Sequence, residues 1–207
     1  MEAIWGDFKE PSLADAGPEG SDIYVRGNEI HFNAPVNRKT VSTFIQKIEE
    51  VLDSYKVPNH GNTRQREIIY YIDSDGGFLS SMFKLADYIR MLKKDGVKFT
   101  SIINGNAHSA ASVIAVVANV RKMTDHSCAM IHEIKAGPGI QMSSHLDAYS
   151  SYINKRQKKL LRLYQVYSKS DVETINKLMS VETYFDAEEY LKHGFIDEII
   201  TGEDPVE

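Results

Sequence analysis

Two polar side chains at the ends of apolar runs carry the chemistry that this sequence could perform. Ser109 lies in "GNAHSAASVIAVVAN" (105–119), where small residues lead into a wholly apolar helix, and His132 closes the run "CAMIH". A serine hydroxyl is a poor nucleophile until an imidazole accepts its proton, and an acidic group usually orients that imidazole. A helix beginning at the serine would also point free backbone amides at a developing oxyanion. Each residue has a plainer reading as well: Ser109 as the cap of the helix it precedes, and His132 as a hydrogen-bonded core histidine. The two become a catalytic pair only if the fold brings them together. A third segment, "DSDGG" (73–77), ends another apolar run in adjacent glycines, which suits close approach of backbone to a substrate or an oxyanion. Asp73 and Asp75 have no further ligands at calcium-loop spacing, and the GxxxxGK[ST] phosphate loop is absent. Neither a metal nor another cofactor is expected.

Alternating strands and helices must position these residues. "DIYVRGNEIHFNAPV" reads as two short strands, followed by an amphipathic helix with Val41, Phe44, Ile48, Val51, Leu52 and Tyr55 at helical spacing. After the polar loop "VPNHGNTRQR", the run "EIIYYI" reads as a strand buried on both faces of a parallel sheet. A helix with Met82, Leu85, Ala86 and Ile89 inward follows "DSDGG". Then come the strand "VKFTSII", a turn at "NGNAH", the helix from Ser109 and a strand reaching "CAMIH". The alternation implies βαβ units with right-handed crossovers in one mainly parallel α/β sheet. In such sheets ligands bind outside the carboxyl ends of the strands, where residues 73–77, 105–109 and His132 all fall. Residues 140–168 predict a long helix whose tyrosines, Tyr149, Tyr152, Tyr164 and Tyr167, serve either a subunit interface or the parent core. Two short helices follow, with capping-box spacing at Ser170/Glu173 and Asp186/Glu189. Gly194 stops the second, and "FIDEII" closes with a strand.

Composition narrows the classes. A chain of 207 residues, 42% hydrophobic and 26% charged, suits a single domain over 23–207, preceded by an arm at 1–22 that is flexible or ordered by a partner. The net charge of −5 excludes the electrostatic footprint of a nucleic-acid binder. The lone Cys128 fits a reducing cytoplasm, the N-terminus lacks a secretory signal, and no apolar run is long enough to span a membrane.

Four pieces occur in the order of one family. "YYIDSDGG" resembles INSPGG, "GNAHSAAS" resembles GxAxSMxx, "AMIHE" resembles MIHQP, and "YFDAEEYLKHGFIDEII" resembles FMSAxEAxxYGLID of the Clp protease proteolytic subunits (ClpP). The resemblance, over about residues 22–200, implies the ClpP/crotonase-like fold of repeated β-β-α units with a protruding handle helix at about 134–168. It implies a serine endopeptidase in which Ser109 is the nucleophile, His132 the general base, and the N–H groups of Gly77 and Ala110 the oxyanion hole. Aligning backward from "GFID" puts Glu182 on the position of the acid, where the family carries aspartate in DTxRDxF. The resemblance also implies a homo-oligomer of stacked rings, a tetradecamer, with a separate ATP-driven (AAA+) unfoldase feeding it unfolded polypeptide. In that reading the handle tyrosines face another subunit. Asp75 replaces the family's proline, His108 a small residue, and Ala110 its methionine. Two alternatives stand beside the endopeptidase reading: a catalytically silent ring subunit or assembly factor, suggested by the changed acid motif, and an acyl-CoA enzyme of the related crotonase fold, which shares the paired-amide oxyanion hole but needs no serine nucleophile.

Overall fold

The computed structural model describes residues 22–55, 66–137 and 145–202. Residues 1–21 of the expected N-terminal arm, nearly all of the loop at 57–66, and residues 138–144 before the long helix lie outside the described residues.

The strands are β1 (Ile23–Arg26), β2 (Glu29–Phe32), β3 (Glu67–Ser74), β4 (Lys98–His108), β5 (Val120–Thr124), β6 (Cys128–Ile131), β7 (Thr183–Phe185) and β8 (Glu198–Ile200). The helices are α1 (Arg38–Ser54), α2 (Leu79–Lys94), α3 (Ala110–Val116), α4 (Leu146–Val166), α5 (Val172–Ser180) and α6 (Ala187–Lys192). The order β1-β2-β3-β4-β5-β8 runs across the sheet, and β6 branches from β4 to pair with β7. Among the described residues only β1–β2 and β6–β7 are antiparallel. Helical crossovers α1, α2 and α3 return the chain for the parallel neighbours, as parallel pairing demands.

β3 departs from the strand expected to be buried on both faces. Ile68, Tyr70 and Ile72 are buried, while Glu67, Ile69 and Tyr71 are half-covered. The cause is one-sided helix packing. Phe44 of α1 meets the edges of Phe32 and Tyr70, and the Tyr70 hydroxyl donates to the Ile114 carbonyl of α3 at 2.7 Å. On the opposite face Tyr24, His31 and Tyr71 stack across three strands, with ring centroids 4.4 and 4.6 Å apart.

"NGNAH" is not a turn. β4 runs straight through it, because its second half acquires a new partner. Residues 100–103 pair with β5, whereas Asn106, Ala107 and His108 pair with β6. Opposite, the register jumps from Ile72↔Ile103 to Ser74↔Ala107, so β4 carries the extra residues as a bulge. Gly105, at φ +123, makes this possible, since a Cβ there would lie 2.5 Å from the Asp73 carboxyl.

Helix starts follow side-chain acceptors. Asn37 and Thr40 form a reciprocal capping box on α1 at 3.0 Å each way. Asp186 caps α6 as its spacing implies, accepting from the Glu189 amide at 2.8 Å. α5, however, is capped by Asp171, whose Oδ1 accepts from the Thr174 amide at 2.7 Å, and not by Ser170. A charged acceptor one residue nearer the helix wins, and the Ser170 hydroxyl bonds the His193 Nδ1 at 2.9 Å.

α4 divides into two halves. No side chain from 146 to 159 is buried and Tyr152 is half-exposed, while Arg156 lies over the Phe83 ring of α2 and Gln157 accepts from the Ile134 amide at 2.9 Å. Leu160, Leu163 and Tyr164 are buried. Tyr164 is therefore a core residue, contrary to its expected place at an interface, because its ring packs edge-on against Phe195. Arg121 clasps the far end of the sheet. Its Nε and Nη2 bond the two Asp197 oxygens at 3.0 and 2.5 Å, and Nη1 bonds the carbonyls of Tyr167 and Gly194. Among the described residues no helix is long and apolar enough to cross a membrane.

Candidate active site

Ser109 follows the last residue of β4 and precedes α3, in a backbone conformation of φ 52° and ψ −118°. A non-glycine residue there carries strain of order 1–3 kcal/mol, which persists only where its surroundings hold it. Three bonds do so. The Ser109 amide donates to the Met130 carbonyl of β6 at 2.8 Å, and the Ser109 carbonyl accepts from the Ser112 amide at 3.1 Å and the Ser112 hydroxyl at 2.6 Å. The Ser112 oxygen also lies 2.6 Å from the Tyr164 hydroxyl. A carbonyl can only accept, so the one Ser112 proton goes to Ser109 and Tyr164 must donate to Ser112. A buried relay from α4 thus pins the serine backbone. All seven residues of α3 behind it are buried.

The reading of Ser109 as a helix cap is overturned: its side chain makes no cap bond. Instead its Oγ lies 2.7 Å from the Nε2 of His132, the residue that follows β6. β4 and β6 are parallel neighbours, with His108 opposite Met130, which carries both side chains to the same end of the sheet. When Nε2 accepts the serine proton, Nδ1 must carry the ring's own proton. That Nδ1 is buried and has no hydrogen-bond partner among the described residues.

Glu182 stands in the turn between α5 and β7 at φ 53°, with its amide bonded to the Met179 carbonyl. Its carboxylate does not bond His132. Oε2 pairs with Lys135 Nζ at 2.7 Å, and Oε1 accepts from the Tyr184 hydroxyl at 3.4 Å. The Lys135 ammonium holds the Glu182 carboxyl below its usual range, with smaller contributions from His132 and Tyr184. The structure therefore brings Ser109 and His132 together and leaves the third expected member turned to a lysine.

The glycine pair lies beside the serine. Val36 donates to the Gly76 carbonyl and accepts from the Phe78 amide, both at 2.7 Å, so this bridge leaves the Gly77 N–H unused. Among the described residues no protein group accepts from the Gly77 or the Ala110 amide. Side chains are excluded at both glycines. A Cβ on Gly76 would lie 2.5 Å from the His108 carbonyl and 2.9 Å from Ser109 Cβ, and one on Gly77 would lie 2.3 Å from the Val36 carbonyl.

Sequence reasoning missed several parts of the site. Lys135, Ser112 and Tyr164 carry no local signature of their roles. Asp75 and His108 stood out separately in the sequence, and here they meet: Asp75 Oδ1 lies 3.3 Å from His108 Nδ1, with the His108 ring against Tyr184.

A model of the family described as Clp protease matches residues 25–203. The chain belongs to the Clp protease family. Its branched, mainly parallel sheet with helices is the ClpP/crotonase-like fold. Over 174 residues it is 28% identical to ATP-dependent Clp protease proteolytic subunit 1 of Chlamydia abortus, covering 83% of this chain and 85% of that protein. Over 190 residues it is 29% identical to the ATP-dependent Clp protease proteolytic subunit of Streptococcus mutans, covering 89% of this chain and 91% of that protein. The corresponding subunit 1 of Chlamydia pneumoniae is 26% identical over 179 residues. Within the Clp protease family this chain is thus a divergent member.

Proposed function

We propose that this chain is a serine endopeptidase, the proteolytic subunit of a Clp-type chambered protease. The observation that carries the reading is the 2.7 Å contact between Ser109 Oγ and His132 Nε2, made at a strained strand-to-helix junction. In this reading His132 takes the Ser109 proton as Oγ attacks the peptide carbonyl carbon. The negative charge on the carbonyl oxygen is met by the N–H groups of Gly77 and Ala110. Collapse expels the amine, protonated by His132, and leaves an ester on Ser109. Water, deprotonated by His132, then hydrolyses that ester and restores the serine. In this reading Glu182 is the acid that orients His132 once its carboxylate leaves Lys135. No step calls for a metal or another cofactor.

The relatives are named ATP-dependent, and this chain lacks a phosphate loop, so ATP use belongs to a separate unfoldase. Stacked homo-oligomeric rings, fourteen subunits by family likeness, are the expected assembly, with unfolded polypeptide as substrate and the cytoplasm as its compartment. A second reading, a silent ring subunit, draws on one observation: Glu182 bonds Lys135 and leaves His132 Nδ1 unpaired. The acyl-CoA reading has no such support.

A fluorophosphonate probe, applied to the purified protein alongside a mass measurement of the assembly, tests the proposal. Wild type is expected to label and Ser109→Ala to resist. Peptide hydrolysis is expected to disappear in both Ser109→Ala and His132→Ala. Equal labelling of wild type and Ser109→Ala, or none in either, would overturn the peptidase reading.

A further inference from the structure

We infer that Lys135 is a positioning residue that holds the Glu182 carboxylate off His132, so that the site rests with its acid disengaged until that ion pair opens. The inference rests on the reading of Ser109 and His132 as nucleophile and base.

Register supplies the first argument. β6 and β7 are antiparallel, with Ala129 opposite Phe185, Met130 opposite Tyr184 and Ile131 opposite Thr183. Extended one residue beyond its last pair, the register would set position 132 facing position 182, which lies in the turn just before β7. Directly opposed residues in an antiparallel pair have Cβ atoms about 4.5–5.5 Å apart, so a glutamate at 182 is within reach of the imidazole. The backbone around this point is also held. The Glu133 amide donates to Met179 at 3.1 Å, and the Glu182 amide donates to the same carbonyl at 3.4 Å.

The second argument is the pattern of bonds. His132 Nδ1, the atom that an orienting acid would bond, is one of the buried groups left without a hydrogen-bond partner among the described residues. Both Glu182 oxygens are engaged elsewhere, on Lys135 and Tyr184. A buried N–H left unpaired beside a carboxylate is a costly arrangement unless something else holds the carboxylate. Lys135 is that group: it follows His132 by three residues and brings a full positive charge to 2.7 Å from Oε2. Its side chain is 68% exposed, so the pair is weak, solvent can open it, and replacing the lysine should leave the core undisturbed.

Substitution of Lys135 by methionine removes the charge while keeping most of the chain length. The maximal rate of fluorophosphonate labelling at Ser109 is expected to rise about two- to fivefold, the range that an exposed ion pair can set, with little change in the probe's apparent affinity. Lys135→Arg, which keeps the charge, should give a smaller increase than methionine. In protein with isotope-labelled histidine, the His132 Nδ1 proton should move downfield in Lys135→Met as it gains a carboxylate acceptor. A purely structural lysine would move neither that proton nor the maximal rate alone. If wild type labels and Lys135→Met labels at the same rate or more slowly, the inference is overturned while the peptidase reading stands. If wild type does not label at Ser109, the peptidase reading fails and takes the inference with it.

Discussion

The relay Tyr164 to Ser112 to Ser109 makes a measurable claim about how a strained nucleophile is held. In Ser112→Ala the Tyr164 hydroxyl, on a residue 1% exposed, loses its acceptor at 2.6 Å, and the Ser109 carbonyl loses one of its two donors. A stranded buried donor costs about 1–3 kcal/mol, and the lost bond to Ser109 adds about 1 kcal/mol. In Tyr164→Phe the donor itself disappears, and Ser112 keeps its bond to Ser109, so the cost is about 1 kcal/mol. The double variant strands no hydroxyl and should cost less than Ser112→Ala alone. Urea unfolding of the four proteins, followed by far-UV circular dichroism at one fixed protein concentration, is expected to give a coupling of at least ~1 kcal/mol. Ser112→Ala should also slow probe labelling of Ser109 by about fivefold, since ~1 kcal/mol of lost restraint falls on the reacting residue, whereas Tyr164→Phe, which keeps the Ser112 bond to Ser109, should slow it less. Effects that add to within about 0.5 kcal/mol would refute the relay.

Two further outcomes follow from the geometry. Gly76→Ala, at φ +91 with its new Cβ 2.5 Å from the His108 carbonyl, should lose more than ~1 kcal/mol of stability and at least about tenfold in Ser109 labelling, read from thermal melts and probe kinetics. Burial pushes the Asp197 carboxyl up, but the bonds and charge of Arg121 outweigh it and hold the carboxyl below its usual range. That contribution to stability is present above the unfolded value of about 3.9 and is lost as pH falls through the still lower folded value. Asp197→Asn should therefore cost about 1 kcal/mol at neutral pH, a figure kept low by the partly exposed carboxylate, and the gap to wild type in urea midpoint should close below about pH 4. A gap unchanged down to pH 3 would contradict this account of Asp197.

Much of the sheet was legible because burial leaves a period in the residues. The order of strands and helices, Gly194 as a stop and Asp186 as a cap could all be read locally. "NGNAH" was misread as a turn because its glycine and asparagines match turn chemistry, while the partner that keeps it extended, β6, lies more than twenty residues away. Ser170 lost its expected cap to Asp171 because two acceptors competed and only their geometry chose between them.

By itself the sequence determined the fold class, the family likeness and the nomination of Ser109, His132, Glu182, Gly77 and Ala110. These depend on residue type and order, which survive without coordinates. Tertiary structure alone decided the 2.7 Å contact between Ser109 and His132, the strained backbone held from α4 by Tyr164, and the turn of Glu182 toward Lys135. Side chains far apart along the chain become partners only where strand register and helix packing bring their atoms within hydrogen-bond range.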